Sequence, residues 1–334
     1  MRKRIYIESN CGDDIRNDVF KFDYTDSLDR CMVKDENGFW RSCGNEVILE
    51  QKSSCHVFYK KDWMELEFSH ESLLNGNKEV IQFRECVNSS RLEVLVIRKK
   101  DQAICPAIVI CLGGPIIPMP DFLDESTIYR HFIEQGFALI IPLRRGISGM
   151  CKEWEQALDG HYGEYDVDDT ISATDFVMSH HQDVIDTENI FLYGGSYGGY
   201  VAGLIAGKAN SNQRYKAIVI HCGVYDLATY PWHSQGVAEE TMETYGGTTD
   251  MSFYTKKIKA ISPKTYITEW NVPILLVHHL NDTTTWVGQS VAAYNDALKL
   301  KKQVSLLIVK GPHTYDIPQK KSLFLEISLF FKSI

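Results

Sequence analysis

From about residue 79 the chain alternates continuous apolar runs with segments of helical periodicity, a pattern few folds accept. The runs are "VIQFREC", "RLEVLVI", "AIVICL" (Ala107 to Leu112), "FALIIP", "NIFLY", "KAIVIHC", "PILLVHH" and "VSLLIV". They are short and rich in β-branched residues, so they read as strands, the unbroken ones buried on both faces. Between them Val167, Ile171, Thr174 and Met178 recur at i, i+4, i+7 and i+11, as do Val287, Val291, Tyr294 and Leu298. That spacing marks one face of a helix. "YGGYVAGLIAGKA" and the closing "SLFLEISLFF" read as two more helices. Strands buried on both sides need helices on both sides, so the fold class is α/β, with a mainly parallel sheet. No internal repeat of 30–50 residues points to a complete propeller or solenoid.

Residues 1–75 have another texture. Short aromatic and β-branched pieces such as "DVFKFDY", "GFWRSC" and "MELEFS" are separated by turn clusters such as "CGDD" and "KDENG". This predicts a small β-rich N-terminal extension or lid, followed by an α/β domain over residues 76–334. The formal charge of −9 lacks the basic footprint of a nucleic-acid binder. No apolar stretch approaches the ~18 residues of a membrane span, and the opening "MRKRIYIESN" does not lead into a signal-peptide core. Nine scattered cysteines without a C-x-x-C argue against a disulfide framework or a zinc site. Reduced thiols in a cytoplasmic protein are expected, with no metal and no cofactor. Self-association is left open.

The sharpest local feature is Gly194-Gly195-Ser196-Tyr197-Gly198, a G-x-S-x-G between a predicted strand and a predicted helix. A tight strand-to-helix turn projects the serine hydroxyl above the sheet edge, and side chains two residues either side would clash there. A serine hydroxyl needs an adjacent base to act as a nucleophile. In such a sheet the acid and then the histidine follow the serine in the chain, each on a loop after a later strand. Asp282 follows "PILLVHH" and His313 follows "VSLLIV". Asp226, one strand earlier, competes as the acid, with a loop-tying role as its alternative. His221, His278 and His279 end strands and compete with His313 as packing or lining residues. Ser196, Asp282 and His313 are the preferred catalytic set. The backbone N–H of Tyr197 at a helix N-terminus is one expected oxyanion donor. The loop "LGGPIIP" is the expected source of the second, through Gly113 or Gly114, while Pro115 has no N–H to give. Tyr197, Tyr225, Tyr230, Trp232 and Trp286 are candidate pocket walls for an apolar or proline-like ring.

Taken together, "LGGPIIP", "LRRGISG", "GEYDVDDTISATDFV", "GGSYGGY" and "HHLNDTTTWVGQS" resemble, in order, motifs of the prolyl oligopeptidase family of serine peptidases. The resemblance covers roughly residues 79–334. It implies the α/β-hydrolase fold, Ser196, Asp282 and His313 as the triad, and Tyr197 with Gly113 or Gly114 at the oxyanion hole. Three positions depart from the family pattern: Leu112 stands for the histidine of H-G-G-P, Ile147 for the serine of R-G-S, and Thr285-Trp286 for V-P. Family peptidases carry a large propeller that restricts them to small peptides, whereas about 75 residues precede the hydrolase unit here. The reading that results is a serine hydrolase working through an acyl-enzyme on short peptides or aminoacyl amides. An esterase, thioesterase or acyltransferase on a small acyl substrate is the first alternative, and a non-catalytic binding protein with the same fold is the second.

Overall fold

The computed structural model describes residues 32–34, 40–42, 80–87, 92–100, 102–120, 122–124, 126–148, 152–208, 210–229, 251–313 and 320–334. Strands β1 (Met32–Lys34) and β2 (Trp40–Ser42) form a short antiparallel pair. The rest of residues 1–75 lies outside the described residues, and with it the expected β-rich extension.

The main sheet contains β3 (Val80–Cys86), β4 (Glu93–Lys99), β5 (Cys105–Cys111), β7 (Ala138–Pro142), β9 (Ile185–Gly195), β10 (Ile218–His221), β11 (Ile274–His279) and β12 (Val304–Val309). Their spatial order is β12–β11–β10–β9–β5–β7–β4–β3. From β12 to β7 every neighbouring pair is parallel, and β4 runs against both of its neighbours. Each apolar run of the sequence is therefore a strand of one sheet. Two small strands, β6 (Ile117–Pro118) and β8 (Ile147–Ser148), pair in parallel and tie the Gly113–Gly114 loop to the segment after β7.

Helices α1 (Ile128–Glu134), α2 (Lys152–Glu155), α3 (Tyr165–His180), α4 (Tyr197–Ala206), α5 (Ser211–Arg214), α6 (Met251–Ala260), α7 (Gly288–Lys299) and α8 (Lys320–Lys332) connect or follow the strands. The core holds the central strands almost without exposure: Ala107, Ile108, Val109, Leu139, Ile140, Leu192, Val219 and Leu276 are each 0% accessible. All ten residues of α4 are buried. Gly203 of α4 lies against Pro263, and Gly207, just after the helix, against Tyr266, so these small residues admit the neighbouring 3₁₀ turn (Pro263–Glu269).

The inward face of one helix differs from the one the periodicity predicts, and that of another matches it but adds buried polar residues. In α7 the buried residues are Gln289, Ser290, Ala293 and Ala297, while Leu298 is exposed and Val287, Val291 and Tyr294 are half-buried. In α3 the inward face includes Asp166, Asp169, Thr170 and Thr174 beside Val167, Ala173 and Val177. The reason is the same in both helices. Small residues permit close approach, and buried polar side chains find partners from distant segments. Gln289 accepts from the N–H groups of Tyr225 and Asp226, and the Ser290 hydroxyl lies 2.7 Å from His278 Nδ1. No described helix is long and apolar enough to cross a membrane.

Candidate active site

Strand β9 ends at Gly195 and α4 begins at Tyr197, leaving Ser196 alone at the turn with φ 57° and ψ −121°. A non-glycine residue there is strained by about 1–3 kcal/mol and must be held by its surroundings. The hold is visible: Ser196 N–H donates to His221 O at 2.8 Å, and the backbone on either side packs too tightly for side chains. A Cβ on Gly194 would run into the Gly198 carbonyl, and one on Gly198 into the carbonyl of Cys111 at the end of β5. Glycine is required at these two positions by close approach of backbone to backbone.

Asp282 follows β11 and His313 follows β12, the two strands beyond β10 on that side of the sheet. His313 Nε2 lies 2.8 Å from Ser196 Oγ, and its Nδ1 lies 2.7 Å from Asp282 Oδ2. A carboxylate only accepts, so Nδ1 carries the proton and Nε2 is free to accept from the serine. Asp282 is 4% exposed. Its Oδ1 accepts from the N–H groups of Thr284 (2.9 Å) and Thr285 (2.8 Å), and its Oδ2 from Thr285 Oγ1 (2.8 Å). Burial works against ionisation, but His278, His313 and Thr285 overcome it and hold this carboxyl far below the usual carboxylate range.

Behind the row stands a chain of buried polar side chains. Tyr193 Oη is 3.0 Å from His221 Nδ1, His221 Nε2 is 3.0 Å from His279 Nε2, and His279 Nδ1 donates to the carbonyl of Pro312, next to His313. The carbonyl fixes the proton on His279 Nδ1, so His221 Nε2–H donates to His279 and Tyr193 donates to His221. Burial lowers the pKa of both imidazoles, and for His221 the neighbouring histidines lower it further. The donor atoms of His221, Cys222 and His279 lie within 4.8 Å of one another, close enough for a small soft cation. Hydrogen bonds already account for all four of these histidine nitrogens. Burial, followed by the Asp282 charge, pushes the Cys222 thiol well up.

On the loop side, an added Cβ on Gly113 would sit 3.8 Å from Ser196 Cβ, so this residue borders the serine. Gly114 has φ 111°, a conformation that favours glycine. Tyr197 begins α4; its side chain turns away to donate to the buried Asp166. Burial raises the pKa of Asp166, with Arg144 and the Tyr197 hydroxyl opposing. Of the pocket candidates, Tyr225 is 1% exposed and Trp286 44% exposed. Both line a hollow of about 180 Å³ with Asp226, Thr229, Lys264 and Gln289. Tyr230 and Trp232 lie outside the described residues. Asp226 pairs with Lys264 Nζ at 2.9 Å and accepts from Ala228 N–H, ties within its own neighbourhood. His221, His278 and His279 are all buried at 0–1% exposure. Sequence reasoning missed Arg144 and Asp166 as members of this neighbourhood and named Thr285 only as a departure from the family pattern beside the acid. For Thr285 a signal existed: an aspartate followed by threonines is a side-chain-capped turn.

The strand order, the strained serine at the β9–α4 turn and the Asp–His–Ser row are the fold and side-chain arrangement of an α/β-hydrolase-type serine hydrolase. The chain belongs to the prolyl oligopeptidase family, whose sequence profile matches residues 125–319. Among curated relatives, dipeptidyl-peptidase 5 of Porphyromonas gingivalis is 28% identical over 232 residues, 68% of this chain and 32% of the relative. Acylamino-acid-releasing enzyme 1 of Oryza sativa is 26% identical over 249 residues, 72% of this chain and 31% of the relative. The chain thus spans about a third of the length of these relatives. An acylaminoacyl peptidase of Pyrococcus horikoshii shares the fold with a TM-score of 0.66 at 22% identity, over 76% of this chain and 41% of that one. A Mycobacterium tuberculosis puromycin-hydrolyzing peptidase does so with a TM-score of 0.65 at 19% identity, over 77% of this chain and 39% of that one.

Proposed function

We propose that the protein is a serine peptidase that cleaves short peptides or aminoacyl amides through an acyl-enzyme. Ser196 attacks the carbonyl carbon while His313 Nε2 takes its proton. Asp282 holds the imidazole tautomer and stabilises its cation. His313 then returns the proton to the leaving amine. Water attacks the acyl-enzyme by the same route in reverse order. The N–H of Tyr197 and an N–H of the Gly113–Gly114 loop would receive the developing oxyanion. The observation that carries this reading is the continuous row from Asp282 through His313 to Ser196, with contacts of 2.7 and 2.8 Å. The similarity to a dipeptidyl-peptidase and to an acylamino-acid-releasing enzyme supports a peptide-derived substrate. The division near residue 75 belongs to the same proposal, supported by the sheet's first strand beginning at Val80.

The test is labelling by a fluorophosphonate probe and turnover of aminoacyl-anilides beside short acyl esters. Wild type should label and cleave anilides, and Ser196→Ala should do neither. A folded wild type that does not label would remove the hydrolase reading. Ester turnover with no amide cleavage would replace the peptidase by an esterase or acyltransferase.

A further inference from the structure

Arg144 is 2% exposed, yet its hydrogen bonds among the described residues all run to backbone carbonyls. Nη2 donates to Gly113 O at 3.0 Å and to Leu112 O at 3.4 Å. Nη1 donates to Pro115 O at 3.1 Å and Arg145 O at 2.8 Å. Its Nε is buried with no hydrogen-bond partner among the described residues. Burying a guanidinium costs several kcal/mol unless a well-placed charge or dense hydrogen bonding offsets it. The neighbouring arginine is different: Arg145 grips the Asp169 carboxylate through two nitrogens, at 2.6 and 2.9 Å, and is a quarter exposed. Arg144 instead spans three carbonyls of one glycine loop.

That loop is the one bordering Ser196. In a trans peptide the C=O and the following N–H point in opposite directions. With the carbonyls of Leu112 and Gly113 drawn toward Arg144, the N–H groups of Gly113 and Gly114 are turned away from it. The positive charge behind those carbonyls also polarises the amides and strengthens their N–H groups as donors. Arg144 reaches the other expected donor too: its guanidinium lies 5.2 Å from the Tyr197 ring centroid, and the Tyr197 hydroxyl is tied to Asp166. Arg144 is itself fixed from behind, since Trp154 Nε1 donates to the carbonyls of Leu143 (3.1 Å) and Arg144 (2.9 Å). The β6–β8 pairing closes the same unit.

We propose that Arg144 is a positioning residue for oxyanion stabilisation, aiming and polarising the Gly113–Gly114 amides. This rests on the serine-hydrolase reading above. Arg144 is buried and bonded to the backbone of the loop, so the proposed effect falls on the transition state. Arg144→Met and Arg144→Lys are compared with wild type in the full chain. The readouts are ester turnover, inhibition by a phenylboronic acid, whose tetrahedral adduct places an oxygen in the oxyanion site, and thermal melting. Loss of one oxyanion donor lowers kcat by about 10²–10³-fold. Arg144→Met should lose on the order of 10²-fold in kcat with KM within about threefold, and boronate affinity should fall in parallel. Arg144→Lys should recover part of both, because an ammonium keeps the charge but not the planar fan of donors. Folded variants with kcat and boronate affinity within threefold of wild type would overturn the proposal, as would an equal loss in KM alone. If both variants fail to fold, a crystal structure of the wild-type boronate adduct decides. Donation from Gly113 or Gly114 N–H to the adduct oxygen, with the Arg144 contacts kept, supports the proposal, and an adduct oxygen facing elsewhere overturns it. A wild type that neither labels with fluorophosphonate nor turns over ester removes the hydrolase reading and this proposal with it, whereas an active wild type with indifferent Arg144 variants removes this proposal alone.

Discussion

Replacing Asp282 by Asn tests the row at its most informative point, because the two carboxylate oxygens have different partners. Oδ1 accepts two backbone N–H bonds, from Thr284 and Thr285, and Oδ2 accepts from His313 Nδ1 and Thr285 Oγ1. An amide has one oxygen and one NH₂. Setting the NH₂ at Oδ1 would oppose two backbone donors, so the oxygen takes that place and the NH₂ takes the other. Thr285 Oγ1 can adapt, since it also lies 2.9 Å from the Cys222 carbonyl and can turn its proton there. The fold cost should then be about 1 kcal/mol, that of an exchanged hydrogen bond. The cost to the proposed chemistry is much larger. Facing an amide NH₂, His313 Nδ1 must become the acceptor, and Nε2 then carries a hydrogen toward Ser196 and cannot take the serine proton. Loss of the orienting carboxylate typically lowers kcat by about 10⁴-fold, or about 5.4 kcal/mol in barrier height at 1.36 kcal/mol per tenfold. Steady-state turnover of an ester, with the fluorophosphonate labelling rate and a urea unfolding curve on the same preparation, separates the two effects. A folded Asp282→Asn protein retaining more than a tenth of wild-type kcat would refute the tautomer argument.

Three further outcomes follow from the packing and the charges. Gly198→Ala pushes a methyl into the Cys111 carbonyl and should lower the stability measured in urea by about 2–3 kcal/mol, since the obstacle is backbone. An unchanged midpoint would mean that β5 and the elbow separate easily. His221 and His279 are buried with lowered pKa values, so between the unfolded histidine value near ~6.5 and lower pH the unfolded chain binds protons that the folded chain refuses. Their stabilisation is therefore present above about pH 6.5 and declines as pH falls, by up to about 1.4 kcal/mol per pH unit per histidine. The lowered Asp282 pKa acts in the same direction below about pH 4, so the urea midpoint should drop from pH 7.5 to pH 5 and again below pH 4. A flat midpoint from 7.5 to 5 contradicts the neutral-histidine assignment. Ser196→Ala should abolish labelling while leaving the unfolding midpoint equal to or above that of wild type, because alanine removes a hydroxyl without relieving or adding backbone strain.

Local chemistry made most of the sheet legible in the chain. An apolar run between turns must be a strand wherever helices flank it, and all eight runs became strands of one sheet. The serine turn was legible for the same reason: Gly194 and Gly198 are demanded by contacts within a few residues and with one adjacent strand. The positions of Asp282 and His313 followed from strand order, which sequence order nearly dictates in a parallel sheet. Periodicity missed the inward face of α7 and the polar part of that of α3 because it counts apolar residues, whereas these helices bury Gln289, Ser290, Asp166 and Asp169 against partners elsewhere. Arg144 meets Leu112 across 32 positions of sequence, Thr285 meets Cys222 across 63, and His221 meets His279 across 58. A polar residue in a sequence reads as surface until its partner is known, and only the folded chain brings that partner within hydrogen-bond distance. Thus the sequence alone determined the sheet and the order in which Ser196, Asp282 and His313 follow its strands, and tertiary structure decided which buried polar side chains surround them.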